Sequence, residues 1–212
     1  MSFNAGDGSN ARTMTRITVG TGATYREIQS AYVGDGTNAR LVFQAFSGDI
    51  REYTTADTNP GTDTIPNGAT SVTITVYGAG AKGGDAEPQD SDWLDGAGGQ
   101  GGGKAVKTIA IDPAAWGEQF TYRVGSSSDG TQSQVDGTLT AGTVNIDVGG
   151  DASGGDTNSN GANGTGGGTI SGPGGSGGNG VDGVANGGNG APGVEDANGD
   201  FGGDGLVRFE YE

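Results

Sequence analysis

The sequence contains no cysteine and no histidine, and it is poor in aliphatic side chains. Without these two residues the chain has no disulfide, no zinc site of the Cys/His kind, no thiol nucleophile and no imidazole base. Leu, Ile, Val and Phe together account for 33 of the 212 residues, and the net charge is −16. That combination is typical of intrinsic disorder. The composition therefore predicts either a long linker or a fold whose core is not built mainly from side chains.

Basic residues are also scarce, since 10 Lys and Arg stand against 26 Asp and Glu. After Val124 the only basic residue is Arg208. Binding to a phosphate backbone depends on clustered Lys and Arg, so we expect no nucleic-acid partner. No apolar run approaches the ~18 residues of a membrane span, and the first residues lack a basic-then-apolar signal pattern. We therefore expect no membrane insertion.

Glycine is the abundant residue, with 48 copies concentrated in tracts at residues 78–103 and 149–205. Within these tracts glycine recurs at every third position over short stretches, as at Gly172, Gly175 and Gly178. Three residues per turn is the period of the polyproline II helix, which has no internal hydrogen bonds and must bond to neighbours. Collagen requires an unbroken frame and much proline, whereas only 6 Pro occur here. We predict short polyglycine II helices of one chain that pack together.

Strand patterns flank both tracts. Alternating apolar residues predict strands at Ile17–Val19, Ile28–Val33, Arg40–Phe46, Ser71–Tyr77, Lys104–Ile111, Gln119–Gly125, Thr143–Gly149 and Gly205–Glu212. The fold class is therefore predicted to be mostly β with glycine-rich polyglycine II helices and almost no α-helix. Because strands bound each tract, the tracts are expected to be packed and not to be linkers.

Four regions follow from these patterns. Residues 1–16 are polar and predict a flexible or docking arm, and residues 17–53 predict a small β module with a turn at Gly34-Asp35-Gly36. Residues 54–68 hold Pro60-Gly61 and Pro66-Asn67-Gly68, which predict a linker. Residues 69–212 form the strand-framed glycine domain.

Two glycine motifs match nucleotide-binding fingerprints only superficially. Residues 78–83 spell G-x-G-x-x-G, but a proline and five acidic residues follow where the fingerprint requires a helix. Residues 98–104 spell G-x-x-x-x-G-K, but Ala105 replaces the Ser or Thr that would bind magnesium. We predict no cofactor, and we predict that the protein is not an enzyme because no catalytic constellation is present.

Oxygen-bearing side chains cluster in two places and are weak candidates for Ca²⁺. The candidates are Asp156, Asn158, Asn160, Asp196, Asn198 and Asp200. The first group begins like an EF-hand loop, but Gly167 stands where the bidentate Glu belongs. The alternative is that these are solvated turn residues, and the prediction is that no metal is bound.

An aromatic–aliphatic pair stands out in an otherwise polar loop. Trp93 and Leu94 lie between Asp92 and Asp95. The pair is either a plug packed on the sheet or an exposed contact for a partner, because aromatic residues often anchor interfaces. We take Asp92, Trp93, Leu94 and Asp95 as the candidate receptor or partner contact.

The segments 62–84, 96–130 and 202–212 resemble the glycine-rich domain common in tailed-bacteriophage structural proteins. The shared order is a strand, a glycine tract, a strand, a Pro-containing turn, a strand ending in Val-Gly, long glycine tracts and a final aromatic strand. Residues 17–46 are similar to a short two-repeat module that often precedes this domain in phage tail proteins. Tyr25, Arg26 and Tyr32 occupy its aromatic and basic positions, whereas Ala39-Arg40-Leu41 departs from the usual pair.

This resemblance implies a virion surface protein, tail-fibre or adhesin-like, that attaches to the host through loops of a polyglycine II sandwich. Tyr25, Arg26, Tyr32 and Arg40 would dock the module at 17–53 to the particle. The implied partners are other virion proteins and a host glycan or protein receptor. The alternatives are a head-decoration, fibre or minor tail protein without its own receptor and, more remotely, an ice-binding glycine-helix protein. The oligomeric state stays open, a homotrimer included, because the sequence shows no heptad signal.

Overall fold

The computed structural model describes residues 46–57, 59–140 and 142–212 in full and, before them, the backbone of four strands. Strands β1 (Thr18–Thr21) and β2 (Thr24–Glu27) form one antiparallel pair, and β3 (Ser30–Gly34) and β4 (Ala39–Gln44) form another. Strands predicted near residues 17–19, 28–33 and 40–46 are therefore confirmed, with ends shifted by a few residues. Strand β2 was not predicted. The arm at 1–16 and the turn at 35–36 lie outside the described residues.

The rest of the chain is built on two five-stranded antiparallel sheets. The remaining strands are β5 (Asp49–Tyr53), β6 (Gly61–Thr64), β7 (Ser71–Tyr77), β8 (Glu87–Gln89), β9 (Asp92–Leu94), β10 (Lys104–Ala110), β11 (Gln119–Arg123), β12 (Ser133–Leu139), β13 (Gly142–Val148), β14 (Ala152–Ser153), β15 (Thr157–Ser159) and β16 (Leu206–Tyr211). One sheet has the order β15-β10-β7-β16-β5 and the other β14-β13-β12-β11-β6. Two single 3-10 turns, Pro113–Ala115 and Val181–Gly183, are the helical elements of the described residues. The prediction of a mostly-β fold is confirmed.

The two sheets face each other and enclose the side-chain core. Alternation along β7 directs Val72, Ile74 and Val76 inward, and each is completely buried. Across the interface, the rings of Phe120 and Phe209 stack with centroids 5.4 Å apart. Each such side chain contributes roughly 1.5–3 kcal/mol on burial. Among the residues described in full, the large buried hydrophobic side chains thus form one cluster in this sandwich.

The predicted linker at 54–68 is wrong in part, because it contains strand β6, which pairs with β11. Strand β5 lies within the predicted module at 17–53, yet it pairs with β16 of the glycine domain. The chain therefore crosses from one sheet to the other between β5 and β6. Short polar strands at a sheet edge carry little local signal, and long-range pairing decides them.

Strand β12 was also missed, since the sequence there alternates weakly. Its inward positions are Ser133, Val135, Gly137 and Leu139. Gly137 lies under the Phe120 ring, where an added Cβ would be 3.1 Å from the ring edge. The large ring of the neighbouring strand fills the space that a side chain would occupy, so the usual apolar alternation is interrupted.

Beyond the sandwich, the glycine tracts contribute six segments that bond to each other through their backbones. These glycine segments span residues 78–86, 95–103, 161–168, 172–181, 184–193 and 197–203. The N–H groups of Gly96, Gly99 and Gly102 donate to the carbonyls of residues 191, 188 and 185 in turn. With the same spacing of three, the N–H groups of residues 78, 81 and 84 donate to the carbonyls of residues 103, 100 and 97 in turn. Hydrogen bonds at every third residue are those that polyglycine II helices require.

Glycine is needed in this bundle because the segments are too close for a side chain. A Cβ added to Gly175 would lie 1.8 Å from the Thr165 carbonyl oxygen, and one on Gly96 would lie 1.9 Å from that of Gly84. The tracts are therefore packed, as predicted, and the linker alternative is excluded for them. No helix of the described residues is long and apolar enough to cross a membrane.

The sandwich has two distinct ends. The first glycine segment leaves the end of β7 and the second returns to the start of β10, so residues 86–95 lie at the far end of the bundle. At the other end of the sandwich, the first residue of β5, Asp49, pairs with Tyr211. The chain thus enters the sandwich from β4 at the end opposite the bundle.

Candidate functional site

Three loops meet at the far end of the glycine bundle, and we call them together the tip. They are the β8–β9 hairpin at 86–94, the loop at 168–173 and the loop at 192–197. Leu94 forms a β-bridge with Ile170, and the Ser171 N–H donates to the Trp93 carbonyl at 3.0 Å. The Gly193 N–H donates to the Gly172 carbonyl at 2.8 Å, which ties the third loop to the second. The tip is therefore one hydrogen-bonded surface.

Asp95 anchors this surface from beneath. Its side chain is buried, with the residue 7% exposed, and its carboxylate accepts from the Thr169 N–H at 2.5 Å and the Gly174 N–H at 3.2 Å. Backbone bonds of Asp95 to Thr169 and Gly168 complete the attachment. Asp95 was predicted to contact a receptor, but burial removes it from the exposed surface. It instead holds the loop at 168–173 in place.

The other three predicted contact residues belong to the hairpin. Asp92 is exposed, while Trp93 and Leu94 are half-buried. Each side chain of the Trp-Leu pair is thus partly covered and partly accessible to a partner. The backbone of the pair is held within the tip, since Leu94 bridges to Ile170 and the Trp93 carbonyl accepts from the Ser171 N–H.

Sequence reasoning missed the apolar residues that the other two loops bring to the tip. Ile170 and Val194 are each 54% exposed. The other exposed large hydrophobic residues among those described are Ile50 and Phe201, which lie outside the tip. An isolated aliphatic residue inside a glycine tract was the available signal, since such a residue has no strand or helix face to bury it.

The tip also concentrates negative charge. Its exposed acidic residues are Glu87, Asp90, Asp92, Glu195 and Asp196. None of the three loops contains a Lys or Arg. The nearest basic residue in sequence before the hairpin, Lys82, is paired with Asp85 at 2.5 Å. The tip therefore exposes apolar side chains among side chains that are all negatively charged or neutral.

The weak calcium candidates Asp156, Asn158, Asn160, Asn198 and Asp200 each form hydrogen bonds with groups of the protein. Within residues 46–57, 59–140 and 142–212, no group of three or more acidic side chains is placed to hold a metal ion. Asp156 accepts from the Thr108 N–H, Asn158 bonds to Gly155 in both directions, and Asn160 accepts from the Ala152 N–H. The Asp200 carboxylate accepts from the Asn189 side-chain amide. These contacts fit the alternative of turn residues that stabilise local backbone.

The predicted docking residues lie on the N-terminal strands. Tyr25 and Arg26 are on β2, Tyr32 is on β3 and Arg40 is on β4. Tyr32 stands opposite Leu41 and Arg40 opposite Val33 in the β3–β4 register. The side chains of these residues lie outside the described part of the structure, so docking to a particle stays a prediction.

A second polar cluster sits where the bundle joins the sandwich. Asp182, held at φ +55°, accepts from the Lys104 ammonium at 2.6 Å and from the Tyr77 hydroxyl at 2.9 Å. The hydrogen bonds from Lys104 and then from Tyr77 lower the pKa of Asp182 below its usual value. This cluster fixes the turn between the fourth and fifth glycine segments to strands β7 and β10.

A shallow cleft of about 330 Å³ lies beside the β5 and β6 edge. It is lined in part by Tyr53, Tyr122, Arg123 and Asp57. Tyr53 and Tyr122 stack on each other with centroids 4.0 Å apart, so each ring already has one face covered. The cleft is lined by both acidic and basic side chains, whereas the tip combines exposed apolar side chains with acidic side chains alone.

Comparison with models of known protein families found no match to this chain, and a search of curated proteins found none either.

Proposed function

We propose that the protein is a surface protein of a tailed-phage virion, tail-fibre or adhesin-like, and that it contacts the host through the tip. The observation that carries this proposal is the separation of the two ends. The chain enters the sandwich at one end, and three loops with exposed Ile170 and Val194 converge at the other. A unit joined at one end is suited to presenting the opposite end to a target.

The construction of the bundle supports this role. Backbone hydrogen bonds hold the glycine segments together, so the loops that join them are free to carry functional side chains. Recognition surfaces commonly consist of loops on a rigid scaffold. The resemblance of residues 63–212 to phage glycine-rich domains points the same way. The strands at 18–44 would then dock the protein to its particle.

The proposal is tested by location and by competition. Immunogold labelling of particles that contain the protein is expected on a tail tip or another surface appendage. Purified protein added in excess is expected to slow adsorption of those particles to host cells. A variant with Ile170→Ser and Val194→Ser should lose this inhibition, whereas Ile50→Ser, which changes a residue of similar exposure outside the tip, should retain it.

Two results would contradict the proposal in different ways. Protein found only free in the infected-cell cytosol would rule out a virion role. A decoration protein would be indicated by three results together. The label would lie on the head, excess protein would not affect adsorption, and particles that lack the protein would be less robust.

A further inference from the structure

All charged side chains in the loops of the tip are negative, and this restricts the charge that a partner can carry. Five exposed carboxylates are spread over two of its loops, and its three loops hold no basic residue. The buried carboxylate of Asp95 lies directly beneath. Potentials of this kind steer oppositely charged partners and repel like-charged ones. An anionic glycan, with phosphate or carboxylate groups, would approach this surface against repulsion.

The apolar groups of the tip add a second requirement. Ile170 and Val194 are each 54% exposed and lie on loops that backbone bonds tie together. Burying them requires an apolar group on the partner. The loop at 168–173 is already ordered by bonds to Asp95 and Trp93, and the loop at 192–197 is tied to it through the bond from Gly193 to Gly172, so little entropy is lost when a partner binds.

Taking the tip as the attaching surface of the proposed function, we propose that it binds a protein loop in which Lys or Arg stands beside an apolar side chain. The cationic groups would meet the carboxylates of Glu87, Asp92 and Glu195. The apolar group would contact Ile170 and Val194. Charge complementarity favours a positively charged partner, and the exposed aliphatic groups favour a polypeptide over a sugar chain.

The experiment presents the full-length protein to a yeast-displayed library of random disulfide-closed peptide loops. The enriched loops are expected to carry net positive charge together with an apolar residue. Their affinity should fall at least about tenfold for the variant with Glu87→Gln, Asp92→Asn and Glu195→Gln, because the steering field is weakened. Raising the ionic strength from about 0.01 M to about 0.15 M, which shortens the Debye length from about 30 Å to about 8 Å, should slow association to the unmodified protein.

A matched control removes the same charge elsewhere. The control variant carries Asp57→Asn, Asp112→Asn and Asp151→Asn, all exposed and outside the tip. Asn keeps the acceptor oxygen that Asp57 and Asp112 use for local backbone bonds. This variant should bind the enriched loops as the unmodified protein does. Vesicles that contain anionic lipopolysaccharide form a second probe and should not bind at the tip.

Several outcomes would overturn the proposal. They are enrichment of neutral or acidic loops, no enrichment at all, equal binding by the tip variant, or tip-dependent binding to the lipopolysaccharide vesicles. The adsorption assay separates this failure from that of the proposed function. If the unmodified protein and the charge-neutralised tip variant inhibit adsorption equally, the charge argument is wrong while the attachment role stands. If neither inhibits and no particle is labelled, the attachment role itself is wrong.

Discussion

Replacing Asp63 by Asn is expected to destabilise the sandwich more than any exposed charge change. Asp63 lies on β6 and is 1% exposed. Its carboxylate accepts from the Tyr211 hydroxyl at 2.5 Å and the Tyr53 hydroxyl at 2.6 Å. The Arg51 guanidinium donates to it at 3.1 Å. One buried carboxylate thus joins β6 of one sheet to β5 and β16 of the other.

The expected loss of unfolding free energy follows from the hydrogen bonds that the Asn amide cannot accept. Asn offers one acceptor oxygen to three donors, and its NH₂ group faces hydroxyls that also need an acceptor. Breaking a buried ion pair by removing one partner costs about 3–5 kcal/mol, a large part of the ~5–15 kcal/mol of a typical domain. Because the Arg51 side chain is 30% exposed, water compensates part of its loss, so we expect the lower half of that range.

Urea unfolding followed by Trp fluorescence measures this change. The Tyr53→Phe and Tyr211→Phe variants should each lose about 1–3 kcal/mol, since each removes one hydrogen bond to a charged group. Asp57→Asn, on the exposed loop before β6, serves as the control and should change stability by less than about 0.5 kcal/mol. A loss below about 1 kcal/mol for Asp63→Asn would refute the reasoning. Limited proteolysis between β5 and β6 should accelerate in that variant alone.

Four further outcomes are expected. Burial first, and then the hydrogen bond to Asp63, raise the pKa of Tyr211 above its usual range; stability in a pH series should therefore be intact below about pH 10 and fall above it. Gly175→Ala should lower the melting temperature far more than Gly203→Ala, because its Cβ would lie 1.8 Å from a carbonyl oxygen instead of 3.1 Å from the nearest atom. Asp95→Ala should cost about 1–3 kcal/mol and increase hydrogen exchange at residues 168–174; unchanged exchange would show that the carboxylate does not hold this loop. Since Lys104 and then Tyr77 lower the pKa of Asp182, the stability difference between the unmodified protein and Asp182→Asn should be present above about pH 4 and vanish as the pH falls below it.

The arrangement of charge has a consequence for function as well as for stability. Carboxylates inside the molecule, Asp63 and Asp95, are matched by hydroxyl, guanidinium or backbone donors. Those on the tip have no basic residue within its loops. Binding of a cationic loop would supply the missing counter-charge, so attachment is expected to weaken as salt rises.

The sequence by itself determined the local geometry of this protein. Alternation with a period of two marked strands such as β7, and glycine at a period of three marked the segments that bond at every third residue. The period of two gives the direction of successive side chains along a strand, and the period of three gives the turn of a polyglycine II helix. Both depend on the local backbone conformation, which residues close in sequence determine. The scarcity of aliphatic residues was likewise informative, because backbone packing replaces side-chain packing in the bundle.

Only the tertiary structure decided which distant stretches meet. Strand β5 joins β16 and strand β6 joins β11, although their own sequences suggested the end of a module and a linker. The tip brings Trp93 together with loops that carry Ile170 and Val194, and it buries Asp95 among them. Glycine segments of equal period can bond in many registers, so the period alone does not select a neighbour. Contacts that favour one register, such as those of the buried Asp95 carboxylate with Thr169 and Gly174, act between residues far apart in the chain.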